Sequence, residues 1–181
     1  METKQLLENL KSGNPLEAFE AAKSLSILPR LPAKRIVEVL KGVKSIHNQE
    51  AAAYALSWLL RKDRNESLQA LLNIFNDVNE NPSVRGQALE GLGIHRPTKR
   101  HRLWQEVEKA ILDGLKDEGV EVRFWACYAA GTLGMKSALP QLRELSNNDS
   151  SVYPKWWRVS EEATDAIEWI HGRDTETRVP N

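Results

Sequence analysis

The sequence predicts an all-α solenoid of about five stacked helix pairs, and three observations carry that prediction. The segment Val84-Arg85-Gly86-Gln87-Ala88-Leu89-Glu90-Gly91-Leu92-Gly93 returns as Val122-Arg123-Phe124-Trp125-Ala126-Cys127-Tyr128-Ala129-Ala130-Gly131, an offset of 38 residues. A fixed offset of this size marks stacked helical pairs, none of which can bury its apolar face alone. Second, Ala52, Ala88, Ala126 and Ala163 are spaced by 36, 38 and 37 residues, and one turn beyond each stands Leu56, Leu92, Ala130 or Ile167. A small residue and an apolar residue one turn apart let neighbouring helices approach closely. Third, apolar residues recur at helical spacing along the whole chain, punctuated by Pro, Gly and Asn.

The elements follow in order. Leu6, Leu7 and Leu10 give a first short helix, stopped by Ser12-Gly13-Asn14, and Pro15 opens the next in a first turn where its missing N–H costs nothing. That second helix carries Leu16, Phe19, Ala22 and Leu25 and ends before Pro29; its register, around Ala21 and Leu25, fits the later repeats loosely. Pro32 opens a helix bearing Ile36, Val39, Leu40 and Val43, and Asn48 is the expected cap for a helix from Glu50 to Leu60. The third pair is Leu68 to Val78 and Pro82 to Gly93, with Asn81-Pro82 as cap and first turn. The fourth is Leu103 to Leu115 and Val120 to Gly134. The fifth begins near Ser137, accommodates Pro140 in its first turn, and is completed by Trp157 to Ile170. Residues 1–172 are thus expected to form one solenoid and 173–181 a polar tail.

At the third and fourth pairs the chain resembles bacterial HEAT repeats of the phycobilisome-lyase type. Asn81-Pro82-Ser83-Val84-Arg85 through Gly93, and Asp117-Glu118-Gly119-Val120-Glu121-Val122-Arg123 through Gly131, carry the resemblance. It implies a right-handed solenoid whose second helices line the concave surface. It also implies a polar ladder between repeats, built from an Asp six residues before an Arg. Asp117 and Arg123 match that spacing; Arg85 has Asn79 in the acidic place, and Gln49 and Ser160 stand where repeats two and five would carry the Arg. Protein binding is the commonest use the resemblance implies, although such folds also serve as enzyme subunits and DNA-repair glycosylases.

Composition narrows the function classes. The 181 residues, 41% hydrophobic and 28% charged, suffice for a sizeable core. Lys plus Arg equals Asp plus Glu at 25 each, which argues against a dedicated polyanion binder. Cys127 is the only cysteine, so no intramolecular disulfide is expected, and a reducing, cytoplasmic setting fits. No signal peptide or membrane span is expected. The chain has no Gly-rich phosphate loop, His-Glu-x-x-His, Cys-x-x-Cys or Gly-x-Ser-x-Gly, and His47, His95, His101 and His171 are scattered. Neither catalysis, nor a cofactor, nor a metal is expected, and Cys127 reads as a packing residue.

The register then selects a face. Ala51, Gln87, Trp125 and Glu162 precede the spaced alanines by one position; Tyr54, Glu90, Tyr128 and Asp165 follow by two; Trp58, Ile94, Thr132 and Trp169 follow by six. These offsets share one side of a helix. Gln87, Glu90, Glu162 and Asp165 make that side polar and hence exposed in repeats three and five. By position, Tyr54, Trp58, Trp125, Tyr128 and Trp169 belong to the same stripe, with Glu161 beside it. Two readings of Trp125, Trp58 and Trp169 stand open, core packing and partner contact. Aromatic residues beside carboxylates suit a basic, partly apolar protein or peptide. The leading expectation is an adaptor, assembly factor or inhibitor that binds such a partner; the alternative is a nucleic-acid-binding protein such as a diverged repair glycosylase.

Two loops complete the reading. His95 to Arg102 is basic, and its Arg96, Lys99, Arg100 and Arg102 either bind an anion or shield the negative ends of neighbouring helices, the second being favoured. Asn147 to Trp157 is long, and its Trp156 and Trp157 either seal the last repeat or contact a partner.

Overall fold

The structure is a computed structural model that describes residues 2–28, 31–59, 64–154 and 156–175. Ten α-helices are present among the described residues, and they stack as five pairs. They are α1 (Thr3–Ser12) with α2 (Pro15–Ser26), α3 (Ala33–Gly42) with α4 (Ile46–Trp58), α5 (Arg64–Asn76) with α6 (Pro82–His95), α7 (Trp104–Gly114) with α8 (Val120–Thr132), and α9 (Leu139–Asn148) with α10 (Val159–Ile170). No strand forms among them; a single antiparallel bridge joins Val152 to Arg158. The expected end of α4 at Leu60, Lys155 and the tail from residue 176 lie outside the described residues.

Second helices pack on second helices along the chain, α2 on α4, α4 on α6, α6 on α8 and α8 on α10. The spaced alanines are the reason. Ala52, Ala88, Ala126 and Ala163 are all fully buried, as are Leu56, Leu92 and Ala130, so this register is the spine of one continuous core. Two glycines bring the helix axes closer still. A Cβ on Gly86 would lie 2.9 Å from the Glu121 carbonyl oxygen, and one on Gly131 would lie 2.8 Å from the Ala166 Cα and 2.6 Å from the Trp169 ring.

Local signals set most helix starts. Asn14 caps α2 by accepting from the Glu17 N–H at 3.0 Å while Glu17 accepts from the Asn14 N–H at 2.9 Å. Asn81 accepts from the Ser83 N–H at 3.0 Å, with Pro82 at the first helical position. Pro32 takes the N-cap position of α3. Asn48 is not a cap: α4 begins at Ile46 after Ser45. Asn48 is buried instead and donates to the Leu10 and Gly13 carbonyls at 3.0 and 3.1 Å, satisfying the end of α1 from the next repeat. Of the apolar residues that mark α2, Ala22 and Leu25 are fully buried, whereas Leu16 and Phe19 are 70% and 41% exposed, because α2 turns its alanines inward. Trp157 precedes α10 rather than opening it.

The polar ladder runs differently from the spacing rule. Arg85 Nη2 donates to Asp117 Oδ2 at 2.7 Å, and Arg123 Nε donates to Asp149 Oδ2 at 2.7 Å. Each arginine therefore pairs with the acid of the following repeat, while Arg123 Nη1 also donates to the Asp117 carbonyl at 2.8 Å. Gln49, in the arginine's place, reaches Glu80 of its following repeat at 3.4 Å. Burial pulls the Asp149 carboxyl upward, but hydrogen bonds from Arg123 and Ser151 outweigh it and hold the group below its usual range.

Candidate functional site

The selected face forms a pocket where α6, α8 and α10 meet beside the 149–157 loop. Its cavity is about 430 Å³, and Glu90, Trp125, Tyr128, Glu162, Asp165 and Trp169 line it with Phe124, Trp156, Trp157 and Thr175. The first six come from the register argument; the other four do not. Phe124 was hidden by its place among core positions, and its ring lies 5.2 to 5.8 Å from those of Trp125, Tyr153, Trp156 and Trp157.

Two expectations of exposure, for Glu162 and Asp165, are corrected here, and of the two open readings of Trp125 burial is the one observed. Trp125 is 6% exposed, Glu162 1% and Asp165 7%. Register identified the correct side of each helix, but close approach of α6, α8 and α10 makes that side concave at this point, and the loop folds over its end. The Trp125 and Tyr153 rings lie 6.2 Å apart at 79°, and Trp157 donates its indole N–H to Glu162 Oε2 at 2.7 Å. Thus the loop tryptophans seal the last repeat and also wall the pocket. Tyr128 and Trp169 are half-buried, and Trp169 donates to the Thr175 hydroxyl at 3.0 Å.

The ring planes stand nearly at right angles. Trp125 and Tyr128 are 5.6 Å apart at 87°, Tyr128 and Trp169 6.0 Å apart at 88°, and Trp125 and Trp156 5.2 Å apart at 74°. Among the described lining residues there is no lysine, arginine or histidine. Burial pushes the Glu90 carboxyl up to about 7, opposed only in part by a hydrogen bond from Gln87 Nε2. Burial, with Glu90 and Glu162 adding to it, also raises the Tyr128 hydroxyl.

The remaining candidates separate into other groups. Tyr54 and Trp58 stand outside the pocket and form a second aromatic cluster with Phe19, at 5.0 Å for Phe19 to Tyr54 and 6.1 Å for Tyr54 to Trp58. Trp58 is 41% exposed. Glu161 accepts the Arg158 N–H at 2.9 Å and so caps α10. Cys127 is fully buried, and burial, reinforced by Glu162 and Asp149, pushes its thiol well above the usual range. A group of that kind is a packing residue.

In the basic loop, Arg96, Lys99, Arg100 and Arg102 are exposed. Arg96, in the left-handed region at φ 47°, donates to the Thr132 carbonyl at the end of α8 at 3.2 Å. Arg64 likewise donates to the His95 carbonyl at the end of α6. Cations at helix C-termini are placed to offset the negative end of the helix dipole. His95 itself is buried, donating Nε2–H to the Leu56 carbonyl at 3.0 Å, and burial depresses it to about 4. Among the described residues no group of three or more His, Cys, Asp or Glu side chains is arranged to hold a metal ion, and no helix is long and apolar enough to cross a membrane.

Among solved structures, the chain is similar to a designed armadillo repeat protein in complex with the peptide (KR)4. The identity is 16% and the TM-score 0.46, over 91% of this chain and 80% of that one. No curated protein matches the sequence. A sequence model described as HEAT repeats matches residues 68–168, the span from α5 through most of α10. With more than half of its length matched in that way, and with five helix pairs stacked through a common alanine register, the chain belongs to the HEAT-repeat family.

Proposed function

We propose that this chain is a non-enzymatic interaction module that binds a basic protein or peptide segment across its second-helix face. The observation that carries this reading is the pocket between α6, α8 and α10, where aromatic walls stand beside the carboxylates Glu90, Glu162 and Asp165. Phe19, Tyr54 and Trp58 extend the aromatic surface toward the N-terminal repeats. Buried aromatics flanked by polar groups are the usual anchors of protein interfaces. Working as an adaptor, an assembly factor or an inhibitor is equally compatible with this chemistry. The solenoid of residues 1–172 with a tail at 173–181, and a cytoplasmic setting for a chain with one buried cysteine, belong to the same proposal. So does membership of the phycobilisome-lyase subgroup, supported by the likeness of the third and fourth repeats alone.

Selection of a random displayed peptide library on the immobilised chain tests this reading. Enriched peptides should lose binding to the Tyr54→Ala and Tyr128→Ala variants and keep it on Lys109→Ala and Arg143→Ala, which alter exposed positions of α7 and α9. Peptides indifferent to the second-helix variants, or no enrichment, would contradict it.

One observation favours the nucleic-acid reading: Glu90, Trp125 and Asp165 share a pocket, as a glycosylase acting on a flipped base would require. The acidic lining opposes phosphate, and Arg96 is engaged at the end of α8. DNA binding that appears only at low salt and is unchanged by Lys99→Gln and Arg102→Gln would set this reading aside.

A further inference from the structure

We propose that α2 is the contact surface of a two-fold dimer, in which a second copy of this chain lays its own α2 antiparallel against it. The way each second helix seats on its predecessor defines the surface. A Cβ on Gly86 of α6 would meet the Glu121 carbonyl and the Trp125 ring of α8, and a Cβ on Gly131 of α8 would meet Ala166 and Trp169 of α10. Counted from the register alanine of the later helix, Ala126 or Ala163, these contacts fall five and one residues before it and three and six after it. Counted from Ala21, the same positions of α2 are Leu16, Glu20, Ser24 and Ile27. No earlier helix pair precedes α2 among the described residues, so it packs chiefly on α1 and α4. The side in question stays open, with Leu16 70% and Ile27 81% exposed. Lys23 completes the row: Leu16, Glu20, Lys23 and Ile27 stand at i, i+4, i+7 and i+11, the seam spacing of two packed helices, and Ile27, the C-cap, still has right-handed helical backbone.

The row is complementary to itself. About a two-fold axis passing between Ala21 and Ala22, Leu16 and Ile27 are equidistant from the centre, and so are Glu20 and Lys23. Two antiparallel copies of α2 therefore set Leu16 against Ile27 of the second copy and Glu20 against Lys23 of the second copy, each pair occurring twice. A parallel arrangement would oppose Glu20 to Glu20 and Lys23 to Lys23. Within one chain Lys23 Nζ pairs with Glu20 Oε1 at 2.6 Å, both side chains being largely in solvent. The dimer exchanges that pair for two across the axis and removes four aliphatic side chains from water.

The opposite end of the stack has different chemistry. The side that a second helix turns to its successor is marked by Gly86 and Gly131, two residues before and five after the register alanine. On α10 those positions hold Glu161 and Glu168, the latter paired with Arg173. Head-to-tail stacking of copies would lay Leu16 and Ile27 on carboxylates and extend without closing, whereas the two-fold contact buries aliphatic against aliphatic and closes at two. A contact one helix wide lies at the small, weak end of protein interfaces, so monomer and dimer exchange. The pocket between α6, α8 and α10 shares no residue with this surface, and the dimer forms with or without a bound peptide.

Sedimentation velocity of the full chain from roughly 5 to 500 µM tests the proposal. The average mass should rise with concentration from that of one chain toward that of two. Ile27→Glu, at an exposed position, should weaken association at least about tenfold with unchanged circular dichroism. Glu20→Lys and Lys23→Glu each set like charges face to face twice, and each should weaken association several-fold at low salt. Mixing those two variants should restore it, because every facing pair is then of opposite charge, and the double variant Glu20→Lys/Lys23→Glu should associate as wild type does. A monomer at every concentration would overturn the proposal and leave the row to a partner of another sequence. Association indifferent to Ile27→Glu, or a mixture of the two charge variants no tighter than either alone, would overturn it as well.

Discussion

Glu90 and His95 sit five residues apart on α6, and burial drives them in opposite directions, the carboxyl up to about 7 and the imidazole down to about 4. The folded state holds the Glu90 proton more tightly than the unfolded chain, so its contribution is present below pH 4.5 and is lost as pH rises through 7. His95 works the other way: its contribution is present above pH 6.5 and is lost as pH falls through 4. Between about pH 4.5 and 6.5 the two slopes oppose. Urea unfolding of wild type should therefore vary little over that window, whereas Glu90→Gln should unmask the His95 slope, stability rising with pH by on the order of 2–3 kcal/mol. A variant that stayed flat would show that His95 is not held neutral. Trp125 gives a second prediction at this scale. Its burial at 6% exposure, among Phe124, Tyr128 and Trp156, means that Trp125→Ala removes a core residue and should cost about 3–5 kcal/mol in thermal unfolding. Tyr128→Ala should cost clearly less, which makes it the better probe of binding. Register could place both residues on one side of α8, but whether that side is open depends on how far α6 and α10 stand from it.

At the scale of elements, the decisive feature is the approach of one second helix to the next. Gly86→Ala would drive a methyl to 2.9 Å from the Glu121 carbonyl oxygen, and Gly131→Ala to 2.8 Å from the Ala166 Cα. In both cases backbone must move, and each variant should lose about 1–3 kcal/mol by chemical denaturation. Gly134→Ala, with open space around it but a φ of 60°, offers a contrast in which only local backbone strain is added. The ladder is a further joint between elements. Asp149→Asn should cost about 1.5–3 kcal/mol, since Arg123 loses a charged acceptor at a half-buried position. Helix starts were readable at Pro15, Asn81 and Pro82 because these signals are local, whereas Asn14, read only as a stop for α1, also caps α2. Asn48 was misread because its partners, the Leu10 and Gly13 carbonyls, belong to another repeat. Asp149 escaped notice for the same reason: a ladder between repeats pairs residues that no spacing within one repeat relates.

For the whole molecule, the alanine register made the fold legible, since the same four alanines that set the period are the ones fully buried. Six of the ten lining residues of the site were legible too. Glu90, Trp125, Tyr128, Glu162, Asp165 and Trp169 share a side of their helices, and that side is where the pocket opens. The walls supplied by Trp156 and Trp157 required the path of the 149–157 loop, which obeys no helical period. The central claim is that a partner docks on this second-helix face, and the six tryptophans distribute themselves usefully for testing it. Trp125, Trp156, Trp157 and Trp169 line the pocket, Trp58 lies with the N-terminal aromatic cluster, and Trp104 is buried on α7, the first helix of its pair. The most direct measurement is a nitrogen–proton correlation spectrum of the indole groups during titration with a selected peptide. Shifts concentrated at the four pocket indoles, with Trp104 unmoved, are the expected result; a response confined to Trp104, or saturable binding with no pocket indole moving, would place the partner elsewhere and contradict the claim.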